Sequence, residues 1–222
     1  FVIDTIGGVG SGPFGISVTS GGEYAYVSNY YSNSVSVIDT VGKTVIHTIG
    51  VGDIPMGVSV TPNGDYVYVS NYSDGTVSKI NTVDNSVIDP IIDVGDGPVG
   101  ISVTPKGDYV YVSNSISNSV SVINTVDNSV TTLTKADDGI AIAPFGVSVT
   151  PNGAFAYVNN YGSNTDSTDS TVSVIRTSDN TVIDEIQLVE LNPSFCGIAV
   201  SPDGKNVYVR NNGKVSVIGF ED

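Results

Sequence analysis

Few side chains in this sequence of 222 residues could take part in catalysis. The only histidine is His47, and three related segments hold an aspartate at the corresponding position: Asp4, Asp89 and Asp184. We therefore expect His47 to face solvent on an outer strand rather than to serve a Ser-His-Asp site. The only cysteine, Cys196, has no neighbour basic enough to favour a thiolate. These residues favour a protein that is not an enzyme.

Two acidic clusters could bind a hard cation. Asp137 and Asp138 are adjacent, and Asp166 and Asp169 flank a Ser-Thr pair. Carboxylate oxygens are the ligands that Ca²⁺ prefers, but neither cluster has the spacing of an EF-hand loop. No group of cysteines and histidines has the spacing of a metal site either. We expect no cofactor, with calcium at these four aspartates as the weaker alternative.

Aromatic and amide side chains recur at similar places and could form a ligand surface. The aromatic members are Tyr30, Tyr31, Tyr72, Tyr161 and Phe195. The amide members are Asn29, Asn71, Asn114, Asn160 and Asn211. An aromatic ring stacks on a sugar or an apolar group, and an amide both donates and accepts hydrogen bonds. Alternatively, the recurring asparagine only fixes the turn at the end of a strand.

These side chains recur because the sequence repeats a unit of about 42 residues, seen most clearly in residues 55–92. Each unit has four short runs rich in β-branched and aromatic residues, separated by turn residues such as Pro, Asn, Asp and Gly. Repeated groups of four antiparallel strands are typical of the blades of a β-propeller. We refer to each unit as a blade and number its strands from first to fourth.

One glycine of the first strand marks each blade, at Gly15, Gly57, Gly100, Gly146 and Gly197. The spacings of 42, 43, 46 and 51 residues predict one all-β domain with blades at about 13–50, 55–93, 98–134, 144–187 and 193–220. The last blade lacks a fourth strand, and residues 1–6 match residues 181–186. We therefore predict a five-bladed propeller in which residues 1–6 complete the last blade and close the ring.

An apolar ring is expected where the five blades meet. The residue before each marker glycine is Phe14, Met56, Val99, Phe145 or Cys196. By repeat equivalence these side chains should surround the mouth of a central channel. They either pack together to close a narrow ring or line a pocket for an apolar ligand.

The length of the loops differs between the two faces of the predicted disk. Turns between first and second strands, and between third and fourth strands, keep nearly constant lengths. All insertions fall in the other loops, which define what we call the top face: residues 135–143, 161–170 and 187–194. The sequence thus predicts a binding surface on the top face over blades 3 to 5, unless the insertions are neutral drift.

The formal net charge of −15 and the pI near 4.1 argue against some classes of partner. Nucleic acids and anionic membrane surfaces are bound by clustered Lys and Arg, and this chain has only eight, which are scattered. No long apolar run predicts membrane insertion. Acidity together with abundant Ser, Thr, Asn and Gly is common in secreted and surface proteins. A start at Phe1 inside a strand is expected of an excised domain or a processed chain.

The repeat resembles the YVTN β-propeller family. The resemblance rests on Tyr-Val-Ser-Asn at Tyr26, Tyr68 and Tyr111, on Tyr-Val-Asn-Asn at Tyr157 and on Tyr-Val-Arg-Asn at Tyr208. It covers essentially the whole chain and implies a protein of the cell surface, such as a surface-layer component, with lactonase-like enzymes as further relatives. Two differences are the replaced Thr of the signature and five blades where seven are usual.

Together, these observations predict a cell-surface or secreted module for recognition or adhesion, which binds a glycan or a surface protein through top-face loops. Two alternatives stay open. A lactonase- or lyase-type enzyme would have its site at the channel mouth, and a structural spacer in a larger surface protein would have no ligand.

Overall fold

The computed structural model describes residues 4–162, 170–188, 197–211 and 214–219, with only the backbone of residues 135, 136 and 211. Blade 1 contains β1 Pro13–Val18, β2 Tyr24–Asn29, β3 Ser34–Asp39 and β4 Thr44–Gly50. Blade 2 contains β5 Pro55–Val60, β6 Tyr66–Asn71, β7 Thr76–Asn81 and β8 Ser86–Asp93. Blade 3 contains β9 Pro98–Val103, β10 Tyr109–Asn114, β11 Ser119–Asn124 and β12 Val130–Thr134, followed by the helix α1 Lys135–Asp138. Blade 4 contains β13 Pro144–Val149, β14 Phe155–Asn160, β15 Thr171–Arg176 and β16 Thr181–Gln187. Blade 5 contains β17 Ile198–Val200, β18 Asn206–Asn211 and β19 Lys214–Gly219.

Each blade is an antiparallel sheet whose strands pair in chain order. The predicted all-β class and the four-stranded blades are confirmed for blades 1 to 4, and blade 5 has three strands in the described residues. No helix in the described residues is long and apolar enough to cross a membrane.

The turn between first and second strands is held by a threonine. In blade 2, Thr61 Oγ1 accepts a hydrogen bond of 3.0 Å from the backbone N–H of Tyr66. The N–H of Gly64 donates to the Thr61 carbonyl, and Gly64 has a φ of 78°, which favours glycine. Equivalent bonds form at Thr104 and Thr150. This short-range network explains why these turns keep one length.

The core lies between blades rather than within any one sheet. Where blade 1 meets blade 2, Tyr26, Val35 and Val37 pack against a β-branched set on blade 2: Val58, Val67, Val69 and Ile80. Equivalent clusters lie between blades 2 and 3, blades 3 and 4, and blades 4 and 5. In blades 1 to 4 the second and third strands are therefore largely buried on both faces.

The marker glycine permits close contact between neighbouring blades. A Cβ at Gly15, Gly57 or Gly100 would lie under 3.0 Å from the backbone carbonyl of Met56, Val99 or Phe145, respectively. A serine of the second strand donates to the same carbonyl: Ser28 to Met56, Ser70 to Val99 and Ser113 to Phe145. At these three positions only hydrogen fits between the blades.

The described residues do not show the predicted ring closure. Residues 1–3 lie outside the described part, and residues 4–12 form no strand there. Asp4 instead forms an ion pair of 3.2 Å with Lys43, and Ile6 and Val9 pack against the blade 1 residues Ala25, Val27 and Ile38. Ile6 and Val9 thus pack on blade 1 in the same way that Ile49 and Val51 pack on blade 2. Closure by residues 1–6 stays a prediction.

Candidate functional site

The top face is built by recurring backbone contacts. Each loop that follows a second strand bonds to the linker that precedes the same blade. The N–H groups of Tyr30, Tyr72, Ser115 and Tyr161 donate to the carbonyls of Gly12, Ile54, Gly97 and Ala143, at 2.8 to 3.0 Å. These bonds fix the loops to the rigid strands, so the side chains that the loops carry are held in place.

One top-face loop presents an aromatic pair to solvent. The side chain of Tyr31 is 77% exposed, and its ring lies edge-on to that of Tyr30, with centroids 4.8 Å apart. Tyr31 N–H donates to the Ser11 carbonyl at 3.1 Å, and Ser11 N–H donates to Ser32 Oγ at 2.5 Å. The exposed ring is therefore carried by a well-bonded loop.

A chain of polar groups connects the same loop to blade 2. Asn33 Nδ2 donates to Asp53 Oδ1 at 2.6 Å, and Asp53 N–H donates to Asp74 Oδ2 at 2.7 Å. Asn33 Oδ1 accepts from Ile54 N–H at 3.0 Å. Both carboxylates are exposed, so this part of the top face offers hydrogen-bond acceptors.

The backbone is unusual at the centre of this polar chain. Ile54 has a φ of 57°, a region that β-branched residues rarely adopt, whereas two of the equivalent linker positions hold Gly12 and Gly97. Such strain persists only where the surroundings impose it, and it clusters at binding sites. The positive φ recurs in all four of these linkers, at Gly12, Ile54, Gly97 and Ala143, so it belongs to the linker of the repeat.

The recurring asparagines do not belong to a ligand surface, which corrects the sequence interpretation for four of them. Asn29, Asn71, Asn114 and Asn160 are each at most 1% exposed. Each Nδ2 donates to two hydroxyl groups of the third strand; Asn29, for example, bonds Ser34 at 3.1 Å and Ser36 at 3.0 Å. These amides join two strands of one blade, and a bound molecule could not reach them. The side chain of Asn211 lies outside the described part.

Glycine in the linker allows this burial. A Cβ at Gly10, Gly52 or Gly95 would lie under 3.0 Å from the side-chain amide of Asn29, Asn71 or Asn114, respectively. The Oδ1 atoms of the four buried asparagines have no hydrogen-bond partner among the described residues. The linker thus packs directly over each amide.

The other predicted top-face residues have mixed environments. Tyr30, Tyr72 and Tyr161 are half-buried. Phe195 and most of the insertion after Tyr161 lie outside the described residues, as do Asp166 and Asp169. The structure thus brings Tyr30 and Tyr31 together and places Tyr72 and Tyr161 on other blades. Their role in binding stays a prediction.

The first insertion forms the short helix α1, and its aspartates cap it. Thr134 Oγ1 accepts from Asp137 N–H and donates to Asp137 Oδ2, while Thr134 N–H donates to Asp138 Oδ2 at 2.9 Å. This reciprocal pattern satisfies the start of a helix. Within the part that the structure describes, no three His, Cys, Asp or Glu side chains group as metal ligands.

The first strands line an open apolar cavity of about 390 Å³, where the channel mouth is predicted. Phe14, Val99 and Phe145 line it, as predicted by repeat equivalence. Met56 is buried and is not part of the lining, and Cys196 lies outside the described residues. Glycines and β-branched side chains supply the rest, and the lining in the described part contains no titratable side chain. His47 is exposed on the outer strand β4.

Sequence reasoning missed one buried cation, Lys79, although a break in the repeat marks it. The same position in the third strand holds Val37, Val122 or Val174 in other blades. Lys79 Nζ donates to the Thr125 carbonyl at 2.9 Å and to Asn128 Oδ1 at 3.2 Å. It lies 4.5 Å from the centroid of the Tyr66 ring. Burial lowers the pKa of this lysine below its usual value.

A second cavity of about 390 Å³ opens between blades 4 and 5 on the face opposite the top face. Tyr157, Ile183, Asp184 and Lys205 are part of its lining. Burial raises the pKa of Tyr157 to about 12, so its phenol stays protonated at neutral pH. In the preceding interface, Tyr111 OH donates to Asn180 Oδ1 at 2.6 Å.

No protein-family model matches the sequence, and no curated protein sequence matches it. Solved structures do match this chain. Kuenenia stuttgartiensis hydrazine synthase superposes with a TM-score of 0.82 at 25% identity, over 94% of this chain and 58% of that chain. A functionally unknown protein from Desulfotomaculum acetoxidans gives a TM-score of 0.77 at 20% identity, over 96% and 67%. The β-propeller domain of Cps50 (Swd1) from Myceliophteria thermophila gives 0.79 at 9% identity, over 100% and 69%.

These similarities show the fold, which is a β-propeller. The chain spans from 58% to 69% of the length of the chains that it matches. The three names describe different kinds of protein, as expected of a fold that hosts many functions.

Proposed function

We propose that this protein is a non-catalytic recognition module of the cell surface or of a secreted protein, and that it binds a neutral glycan on the top face at the junction of blades 1 and 2. A single observation carries the proposal: Tyr31 is 77% exposed on a loop that backbone hydrogen bonds hold rigid. An exposed ring held on a bonded loop offers a partner a flat apolar surface with a polar hydroxyl at its end.

The neighbouring groups suit a sugar. A sugar presents an apolar C–H face and a rim of hydroxyl donors. Tyr31 offers a ring for the face, and the carboxylates of Asp53 and Asp74 offer acceptors for the hydroxyls. The loop is already ordered, so binding does not have to pay the cost of fixing it.

Charge narrows the class of glycan. The formal net charge is −15, and Asp53 and Asp74 add two exposed carboxylates to the same face. Sialylated, sulfated or uronic sugars would be repelled, particularly at low ionic strength. Neutral hexoses and N-acetylated hexosamines carry no charge and would not be repelled.

We further propose that the blades are of the YVTN type, which supports placement at the cell surface. The Tyr-Val-Ser-Asn segments end the second strands, and each places a buried tyrosine, serine and asparagine in the same contacts. The signature is thus a structural unit of the blade, so it supports the kind of repeat without indicating a ligand.

The test is a glycan array probed with the wild type and with Tyr31→Ala. Tyr24→Ala is the matched control, since Tyr24 is 42% exposed at the opposite end of β2. Tyr31→Ala should weaken binding to neutral glycans at least tenfold, because stacking is lost. Tyr24→Ala should leave it unchanged.

Equal binding by all three proteins would place any glycan site elsewhere. No binding by the wild type to any glycan would reject the glycan proposal. A surface protein would then be the remaining class of partner, to be sought with the same pair of variants.

A further inference from the structure

The outer edge of a blade is a place where another strand could add. The fourth strand of each of blades 1 to 4 pairs with a neighbour on one side only. Its other side is a row of backbone N–H and C=O groups, which is a template for pairing with another chain. In three of these outer strands the register is broken by a bulge: β4 at Ile46, β16 at Ile183 and β8 at residues 89–91, which include Pro90. A bulge twists an edge away from a partner, and proline has no N–H, so these three edges are blunted.

The outer strand of blade 3, β12, keeps a regular edge. Its register with β11 shows no shift along its whole length. Its sequence is Val-Thr-Thr-Leu-Thr, with neither a charged residue nor a proline. Leu133 is buried in the core between blades 3 and 4, whereas Thr131 and Thr132 are exposed. β12 is therefore anchored to the protein and open to solvent along its outer side.

The start of α1 shows which backbone groups of β12 point outward. Thr134 N–H donates to Asp138 Oδ2 at 2.9 Å, and the Thr134 carbonyl accepts from Ile140 N–H at 3.4 Å, so both groups face away from β11. The direction of these groups repeats every second residue along a strand. Val130 and Thr132 therefore also direct their N–H and C=O groups outward, where the described residues offer them no hydrogen-bond partner. Each offers one donor and one acceptor to an added strand.

Acidic residues lie at both ends of β12. Asp127 precedes it, and Asp137 and Asp138 follow it in α1. Asp127 and Asp137 are exposed. Lys135 offsets one of these three charges, so the two ends together carry two negative charges. An extended segment with basic residues on both sides of an uncharged centre complements this pattern.

A second copy of this chain does not fit the edge as well. Antiparallel pairing of two β12 edges about Thr132 would bring Asp127 of one copy towards Asp137 of the other, because each lies five residues from Thr132. The same repulsion would arise at both ends of the pair, between chains that each have a formal net charge of −15. The charges therefore favour a basic partner over self-association.

We propose that β12 binds an extended segment of a partner protein, which adds to blade 3 as a further strand and carries Lys or Arg on both sides of a β-branched centre. Backbone bonds to Val130 and Thr132 hold the segment, and its basic flanks select it. The edge is on the outer rim of blade 3, whereas the proposed glycan site is on the top face at blades 1 and 2. Each site can therefore be tested without the other.

Fluorescence anisotropy with synthetic peptides and the full chain tests the proposal. The probe is a labelled peptide of alternating valine and threonine, about six residues long like a typical strand, with two lysines at each end. A second peptide has glutamates in place of the lysines. A third keeps the lysines and carries N-methyl groups along its centre, which remove the backbone donors and block close pairing.

Two proline variants locate the edge. Thr132→Pro removes an outward N–H of β12 and leaves the bonds to β11 intact, because proline is tolerated where the N–H faces solvent. Thr48→Pro is the matched control in β4, since Thr48 is opposite Ser36 as Thr132 is opposite Ser121. Should Thr132→Pro fold poorly by circular dichroism, the N-methylated peptide tests the same contact on the wild type.

The lysine peptide should bind the wild type and Thr48→Pro with a Kd below about 1 mM, and Thr132→Pro at least about tenfold more weakly. The glutamate and N-methylated peptides should bind the wild type at least about tenfold more weakly than the lysine peptide. Added salt should weaken binding of the lysine peptide, because its flanks meet exposed aspartates.

Several results would overturn the proposal. No binding of the lysine peptide to the wild type at about 1 mM would reject β12 as a docking edge. Equal binding of the N-methylated peptide would show a contact through charge alone, and equal binding to Thr132→Pro would place the contact elsewhere. Equal binding of the glutamate peptide would contradict the basic partner. Self-association of the wild type that Thr132→Pro abolishes would make a second copy the occupant.

Discussion

The middle blades and the end blades carry the same side chains at the same repeat positions, but their surroundings differ. Tyr111 in blade 3 is fully buried, and Tyr208 in blade 5 is 43% exposed. Val120 and Val215 differ in the same way, at 0% and 61%. The burial of a side chain in this protein therefore depends on the position of its blade in the array as well as on its position within the repeat. As in other repeat proteins, stability should be a sum over interfaces between neighbours.

Truncation of the recurring tyrosine should give the largest contrast. Tyr111→Ala removes a buried ring and its hydrogen bond to Asn180, so it should lower the free energy of unfolding by about 3 to 5 kcal/mol. Tyr208→Ala should cost under about 1 kcal/mol, because the ring is half in solvent already. Urea unfolding of both variants and of the wild type, at the same low protein concentration, measures this. Equal losses would show that blade 5 has a neighbour in solution.

The marker glycine gives the next contrast. Gly57→Ala places a methyl group against the Val99 carbonyl, so it should destabilise the protein by about 1 to 3 kcal/mol. Gly197→Ala meets nothing within 4 Å in the described residues and should change stability by less than about 0.5 kcal/mol. Thermal unfolding of the two variants provides the comparison. A large loss for Gly197→Ala would show that Gly197 has a close neighbour in solution.

Lys79 allows a comparison among the middle blades, because it is a cation at a position where the other blades have valine. Lys79→Val should stabilise the protein by about 1 to 3 kcal/mol at pH 7, since a buried charge is replaced by a packed apolar group. The folded-state pKa of Lys79 is lowered by desolvation. Its cost is therefore present below that folded pKa and is relieved as pH rises toward the unfolded value near 10.5.

The stability difference between Lys79→Val and the wild type should therefore shrink between pH 7 and pH 10.5. Val122→Ile, a change of apolar side chain at the same position of blade 3, is the control and should give a difference that does not vary with pH. A pH-independent difference for Lys79→Val would mean that the lysine keeps its ordinary pKa.

The smallest effect concerns the exposed ion pair between Arg176 and Asp179, which is next in sequence to Asn180, the hydrogen-bond partner of Tyr111. Arg176 and Thr181 donate to Asp179 and lower the pKa of its carboxyl group to about 2. Its stabilising contribution is present above the unfolded pKa of 3.8 and is lost as pH falls toward 2. NMR titration should show this low midpoint, and Arg176→Ala should raise it toward 3.8. A midpoint that is unchanged by Arg176→Ala would contradict the assigned cause.

The sequence was sufficient to predict features that each repeat determines locally. Turn residues such as Gly64 and the β-branched runs predicted the antiparallel sheets, and the spacing of the marker glycine predicted five of them. Periodicity also placed Phe14, Val99 and Phe145 around the channel, since equivalent positions in a repeat fold occupy equivalent places.

Features that depend on contacts between strands or between blades could not be predicted from the sequence. In the sequence the recurring asparagines look like surface amides. They are buried because hydroxyl groups on the next strand accept their hydrogen bonds, as Ser34 and Ser36 do for Asn29. Lys79 was overlooked because its partners, Thr125 and Asn128, lie more than forty residues away. The strained backbone of Ile54 leaves no mark in the local sequence.

Hydrogen exchange tests most directly the claim that identical repeat positions differ only through their neighbours. The experiment compares amide exchange in β10 and β18 of the full chain by mass spectrometry, at low protein concentration. The account predicts strong protection of β10 and much weaker protection of β18, because Tyr208, Val215 and Val217 leave one face of blade 5 exposed and the blade can open locally. Equal protection of the two strands would contradict it and would indicate that blade 5 is already packed against another blade.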